Sequence, residues 1–245
     1  MSNVSPEVIA QLAPTGVLRA GINMSNYLLV VDKTESGDPI GPSPALALAI
    51  AEQLGVPLKL VPYSNPSAVA AAAGKNEWDI GNIGAEPQRA AVMDFTAAYV
   101  EIEATYLVPP GSTIESIKDV DKAGNRIAVS AGSAYGLWLE NNLKHAELIG
   151  VTAGEDAFER FVDDKLDALA SLRPGLVVQM REMPGSRILD GQFAAVQQAV
   201  GVNKGNDAAF AWLQQYVETV KSNGFVAGLI DQYKVTGKLS VAPLV

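Results

Sequence analysis

The chain has 245 residues, 48% of them apolar, which is ample for a buried core and excludes wholesale disorder. Its 18 basic residues against 27 acidic ones give a formal net charge of -9, without any Lys/Arg cluster, so a nucleic-acid-binding role is excluded. No cysteine and one histidine, His145, remove disulfides, thiolate zinc sites, iron–sulfur clusters and Cys nucleophiles, and leave no basis for a His-rich metal site or a Ser-His-Asp triad. No cofactor and no metal are therefore expected. No apolar run reaches the roughly 20 residues of a membrane span. The start, Met1 to Glu7, has neither the basic nor the apolar region of a signal peptide. The chain reads as a mature form with a new Met or as a cytoplasmic protein.

In chain order, a short helix is expected over Pro6 to Leu12, then a strand from Val17 to Asn23 and a loop holding Asn26 and Tyr27. A turn rich in Ser36, Gly37, Asp38 and Pro39 follows. Ser43-Pro44 predicts a helix start, with serine as N-cap and proline in the first turn. Leu46, Ala47, Ile50 and Leu54 fall at helical spacing, and Gly55 stops the helix. Leu58 to Val61 is the next strand. Strand, helix and strand alternate, the pattern of a parallel sheet covered by helices.

Two stretches share one plan. Residues 67–84 run from an Ala-rich helix through a polar turn and Asp79 into a buried strand. Residues 156–172 run from a helix with Phe158 and Phe161 through Asp167 into Ala168 to Leu172. Arg19-Ala20-Gly21-Ile22 is likewise echoed by Arg126-Ile127-Ala128-Val129. Two α/β lobes with similar wiring explain this economically. Two extended segments, Glu101 to Val108 and Phe193 to Val202, are expected to cross between them. Lobe 1 is then residues 1–98 and 199–245, and lobe 2 is 99–198. An amphipathic helix from Asp207 to Lys221 and a shorter one from Phe225 close the chain.

Candidate site residues follow from where ligands collect in open α/β folds, at the carboxyl ends of strands. Arg89 comes just after the strand ending at Gly84, with Glu86-Pro87 opening a helical turn. A guanidinium there can grip a carboxylate with two parallel bonds, or it can simply pair with Glu86 or Asp94. Gly132, Ser133, Ala134 and Tyr135 lie between a strand and a helix. Backbone N–H groups and the serine hydroxyl could bind an anion there, or Ser133 could serve only as a cap. Asn26 and Tyr27 could wall a small pocket, or Tyr27 could pack in the interior. Walker, GxGxxG, HExxH and GxSxG motifs are absent. Asp163 and Asp164 read as a solvated helix end rather than an acid/base pair, so no catalytic residue is assigned.

Taken together, Gly16-Val17-Leu18-Arg19-Ala20-Gly21, Trp78-Asp79-Ile80, Pro87-Gln88-Arg89, Asp94-Phe95-Thr96 with Tyr99, Gly132-Ser133 and Lys165-Leu166-Asp167-Ala168 resemble the family 3 extracellular solute-binding proteins. These are the periplasmic receptors of polar amino-acid ABC importers. The resemblance covers nearly the whole chain in the right order. It implies a type II periplasmic-binding-protein fold, two α/β lobes joined by two crossing hinge strands and closing on a small carboxylate ligand. It also implies a monomer that works with an ABC transporter permease in the periplasm. Arg89, helped by Gly132, Ser133 and Ala134, would hold the ligand carboxylate. Groups around Asn82 and Gly84 would take an amino group, and Tyr27 would pack on the side chain.

Three departures alter that expectation. The family's amino-group aspartate falls on Leu172, with Arg173 beside it. Glu86 replaces the usual serine or threonine before the arginine, and Ala45 replaces an aspartate in the first helix. Either Glu86 takes the ammonium group, or the ligand lacks one and Arg173 binds a second acid. Two other functions stay open: a cyclohexadienyl or arogenate dehydratase-like enzyme on the same scaffold, and a soluble cytoplasmic sensor.

Overall fold

A computed structural model describes residues 4–152 and 155–245. Met1 to Asn3, part of the segment read for a signal peptide, lie outside the described residues. The chain divides into two compact units, Met1–Glu101 with Gln197–Val245 and Ile102–Val196. It therefore passes from one unit to the other twice.

Helix α1 (Pro6–Leu12) begins at Ser5, whose side chain accepts from the Val8 amide, and buries Val8 and Leu12. Strand β1 (Leu18–Asn23) follows, then the small hairpin β2 (Asp32–Lys33) and β3 (Pro39–Ile40). Helix α2 (Pro42–Leu54) buries Leu46, Ala47, Ile50 and Leu54 and ends on Gly55, whose φ of 71° is the left-handed stop expected of a glycine. Its start departs from the sequence reading: the N-cap is Gly41, and Ser43 lies within the first turn. The cause is a close backbone approach. A Cβ on Gly41 would stand 2.3 Å from the Leu29 carbonyl oxygen, and the Ser43 amide donates to that same oxygen at 3.1 Å.

Strand β4 (Leu58–Tyr63), helix α3 (Pro66–Ala71), strand β5 (Ile80–Gly84), the turn α4 (Pro87–Ala90) and strand β6 (Met93–Phe95) complete this run. β1 lies between β4 and β5, parallel to both. Trp78 is buried at the heart of a cluster with Val69, Ala72, Ile83 and Met93, and its indole donates to the Val69 carbonyl at 3.0 Å. All five residues of β5 are buried, as expected for a strand covered on both faces.

Strand β7 (Val100–Val108) carries the chain into the second unit, where β8 (Arg126–Ser130), α5 (Ala134–Asn142), β9 (Glu147–Val151), α6 (Ala157–Asp163), β10 (Ala168–Leu172), α7 (Arg173–Glu182) and β11 (Arg187–Ile188) follow. The strand order is β7-β10-β8-β9, with β8 parallel to β9 and β10, and β7 antiparallel. Alternate residues feed two cores. Tyr106, Val108, Ile127, Val129, Ala168 and Ala170 join Leu139 and Leu189 on one face, while Leu107, Ala128 and Leu169 join Phe161, Leu166 and Leu176 on the other. Helix α5 stops at Asn142, and the segment around His145 runs into β9, leaving His145 itself exposed.

Strand β12 (Ala194–Asn203) returns the chain to the first unit, where it pairs antiparallel with β5 and β6. Helices α8 (Asp207–Ser222) and α9 (Phe225–Gln232) pack next, and α8 also packs on α1. Strand β13 (Ser240–Val241) then pairs with Val100 and Glu101 at the start of β7. Among the described residues no helix is long and apolar enough to cross a membrane, and no group of three His, Cys, Asp or Glu side chains is placed to hold a metal.

Candidate functional site

In the first unit the end of β5 and the turn after it gather four of the expected residues. β5 is followed by Ala85, whose amide donates to the Gln197 carbonyl at 2.8 Å, and by Glu86, whose amide donates back to Gly84 at 3.1 Å. This tight exit places Glu86 just before Pro87, and the Glu86 carbonyl accepts from the amides of Arg89 and Ala90. Arg89 folds back over the strand end. One of its terminal nitrogens donates to the Gly84 carbonyl at 2.8 Å.

Both charged groups are buried, Arg89 at 4% exposure and Glu86 at 8%. Burial disfavours the ionised form of each. The Arg89 guanidinium is pushed down to about 10, with the nearby Glu86 carboxylate opposing the shift. Burial likewise raises the Glu86 carboxyl above the ordinary range, opposed by Arg89. In a protein of net charge -9, one turn thus holds a buried cation and a buried acid three residues apart.

Asn82, two residues before Gly84, is buried and donates its amide to the Ser43 carbonyl at 3.2 Å. Its side chain thus secures the first turn of α2, a role the sequence did not suggest because Ser43 lies 39 residues away. Asn26 is also buried. Its side-chain oxygen accepts from the Leu28 amide at 3.2 Å and its carbonyl from the amides of Leu29 and Val30. Asn26 shapes the loop after β1, and that loop presents Tyr27 with half of its surface exposed.

In the second unit, β8 ends at Ser130 and the turn through Gly132 opens α5. Gly132 has φ of 71°, a conformation that suits glycine. The Ser133 hydroxyl donates to the Ser130 carbonyl at 2.7 Å and accepts from the Gly136 amide at 3.0 Å. Gly136 permits that closeness: a Cβ there would lie 2.8 Å from the Ser130 oxygen and 2.9 Å from the Ser133 hydroxyl. The single hydroxyl proton of Ser133 is thereby committed, so anion binding at this turn would fall to backbone N–H groups such as those of Ala134 and Tyr135 in the first helical turn. Tyr135 itself is half-buried and packs on the Tyr106 core.

Arg173, at the start of α7, is tied into its own unit. Its Nε donates to Glu103 at 2.6 Å, and one terminal nitrogen reaches the carbonyls of Leu189 and Gly191. Leu172 is the N-cap residue of α7 and brings no polar side chain to the end of β10. The sequence placed Arg173 correctly at a strand end. It could not show that Glu103, 70 residues away, would engage it.

A model of the bacterial extracellular solute-binding proteins, family 3, matches residues 18–236. The chain belongs to this family. Solved structures with the same fold include a protein described as a binding component of an ABC transporter from Wolinella succinogenes, complexed with lysine, at 23% identity and a TM-score of 0.73, covering 91% of this chain and 98% of that one. An amino acid ABC transporter substrate-binding protein from Streptococcus pneumoniae bound to L-arginine matches at 21% identity and a TM-score of 0.70, covering 91% and 96%. An ancestral amino acid-binding protein, a precursor of cyclohexadienyl dehydratase, matches at 21% identity and a TM-score of 0.72, covering 92% and 98%. At such identities these likenesses establish the fold.

The fold is that of type II periplasmic binding proteins. A membrane-bound lytic murein transglycosylase F from Shewanella sp. is 33% identical over 100 residues, 41% of this chain. That match spans only 21% of the relative's length, about a fifth. Family membership places this chain among solute-binding proteins whose structural neighbours serve amino-acid transporters.

Proposed function

We propose that the protein captures a small carboxylate-bearing solute, an amino acid or a related organic acid, and presents it to the permease of an ABC importer outside the cytoplasmic membrane. The observation that carries this reading is Arg89: a guanidinium buried at the carboxyl end of a central strand, its pKa lowered by burial, within an otherwise acidic protein. A carboxylate that meets such a group restores what burial removes, through charge-assisted bonds that strengthen where water is excluded. Within the second unit by itself, the turn of Gly132, Ser133 and Ala134 opens α5 with backbone N–H groups suited to an anion. Transport relatives whose structures contain lysine or L-arginine support amino acids as the first class to try.

The test is native mass spectrometry of the purified protein for a carried-over solute, followed by titration with the 20 common L-amino acids. Saturable binding that is lost in Arg89→Met is expected. Binding that survives the substitution in a folded variant overturns the reading.

A second reading, a dehydratase-like enzyme, draws on the raised pKa of Glu86, suited to proton donation, and on the likeness to the precursor of cyclohexadienyl dehydratase. Incubation with prephenate or arogenate tests it by absorbance. Formation of aromatic product supports the enzyme; absence of product at micromolar protein rejects it.

A further inference from the structure

The first unit holds an acid that the fold encloses without hydrogen-bonding its side chain. Glu86 is 8% exposed, no described residue donates a hydrogen bond to its carboxylate, and the carboxylate oxygens keep access to solvent beside Arg89. Its position just before α4 would allow it to cap that turn, yet its side chain makes no cap bond. Its backbone is fully engaged: the amide on Gly84, and the carbonyl on the amides of Arg89 and Ala90. Only the side chain remains to act. Acidic side chains are almost never buried unless paired or hydrogen-bonded, because desolvation of the charge is costly.

Arg89 attracts Glu86 without discharging this cost, since it reaches back to the Gly84 carbonyl and lies under its own burial penalty. Positive and negative groups thus stand three residues apart on one turn. Arg173 of the second unit is engaged with Glu103 and two carbonyls, which leaves less of it to offer a second acid.

We infer that Glu86 is the specificity-determining residue of this site, accepting hydrogen bonds from a protonated amine on the solute while Arg89 takes its carboxylate. The inference rests on the carboxylate-binding reading above and deepens it: both poles of a zwitterion are read from one turn of the first unit. A hydroxy acid of the same shape would leave Glu86 facing a weaker donor, and a 2-oxo acid would set two lone-pair-bearing groups against each other. Discrimination by a buried charged acceptor is expected to be about 10- to 100-fold.

The test uses the full chain and the tightest-binding member of the 20 L-amino acids, titrated beside its 2-hydroxy analogue. In the wild type the amino acid is expected to bind about 10- to 100-fold more tightly. In Glu86→Gln, which preserves shape and removes charge, that preference collapses towards unity while the hydroxy acid binds as well as before or better. Glu86→Thr is the second variant, with the same expectation should the glutamine form fail to fold. An unchanged preference in either folded variant, or a wild type that prefers the hydroxy acid, overturns the inference. The carboxylate reading then still stands if Arg89→Met abolishes binding of both compounds. Unchanged binding in Arg89→Met overturns that reading and this inference with it.

Discussion

Asp79 grips Arg19 at three points. Its Oδ2 accepts from the Arg19 amide at 2.8 Å and from Nε at 3.0 Å, and its Oδ1 meets Nη2 at 2.7 Å. The Asp79 amide in turn donates to the Arg19 carbonyl at 2.8 Å. This closes the entry of β5 onto the start of β1. The second unit repeats the arrangement: the Arg126 amide donates to Asp167 at 2.7 Å, and the Asp167 amide donates to the Arg126 carbonyl at 2.9 Å. The shared sequence plan of the two halves therefore has a shared purpose, to fix strand register beside the parallel pairs β1–β5 and β8–β10.

The two copies should differ in weight. The Asp79 side chain is 4% exposed and that of Asp167 is 40% exposed. Removing one partner of a buried pair leaves the other charge stranded, so Asp79→Asn should cost about 3 kcal/mol. Asp167→Asn, where water can replace the lost acceptor, should cost about 1 kcal/mol. Urea unfolding of both variants measures the difference, and equal losses would contradict the assignment.

The tail after α9 should depend on Lys221. The side chain of this lysine is 1% exposed; its ammonium pairs with Glu218 at 2.6 Å and donates to the Pro243 carbonyl at 2.7 Å. The tail between pairs with the start of β7 and donates from Ala242 to the Tyr99 carbonyl at 3.2 Å. Lys221→Met keeps the stem and loses the charged donor, for an expected cost of about 1.5 to 3 kcal/mol. Amide exchange at Ala242 should accelerate more than exchange in β5.

The pH dependence of stability should carry a signature of Glu86. Its folded pKa is raised by burial, against the pull of Arg89. A raised folded value means stability that is fully present below the unfolded pKa and lost as pH rises through the folded one. With solute absent, the wild type should therefore lose stability relative to Glu86→Gln from the ordinary glutamate range upwards. Parallel melting curves from pH 4 to 8 read this difference directly, and a difference that shrinks as pH rises would contradict it.

Ser133→Ala should destabilise the second unit by about 1 kcal/mol, the usual cost of a lost N-cap. Because the Ser133 proton is already given to Ser130, solute affinity should change less than it does in Arg89→Met. Calorimetric titration beside thermal melting separates the two effects.

Much of the architecture was legible because burial is written in residue periodicity. β5 and β10 stand out as short apolar strands after an aspartate, and α8 as an amphipathic stripe ended by Asn223-Gly224. What escaped the sequence depends on contacts between distant segments. The start of α2 shifts to Gly41 because Leu29 presses against it. β9 has few core residues, with only Val151 fully buried, so Glu147 to Val151 gave a weak strand signal. At the site, strand-end position and residue type singled out Arg89 and Glu86. The commitment of Asn82 to Ser43 and of Arg173 to Glu103 could not be seen, since each partner lies tens of residues away.

Arg89→Lys tests most directly whether Arg89 holds the carboxylate of a small solute. Lysine keeps the charge and loses the planar fork. Titration calorimetry of wild type and variant with the tightest-binding L-amino acid should show an affinity loss of up to about 100-fold, equivalent to about 3 kcal/mol, with the melting temperature little changed. An affinity equal to that of the wild type in a folded variant would contradict the account.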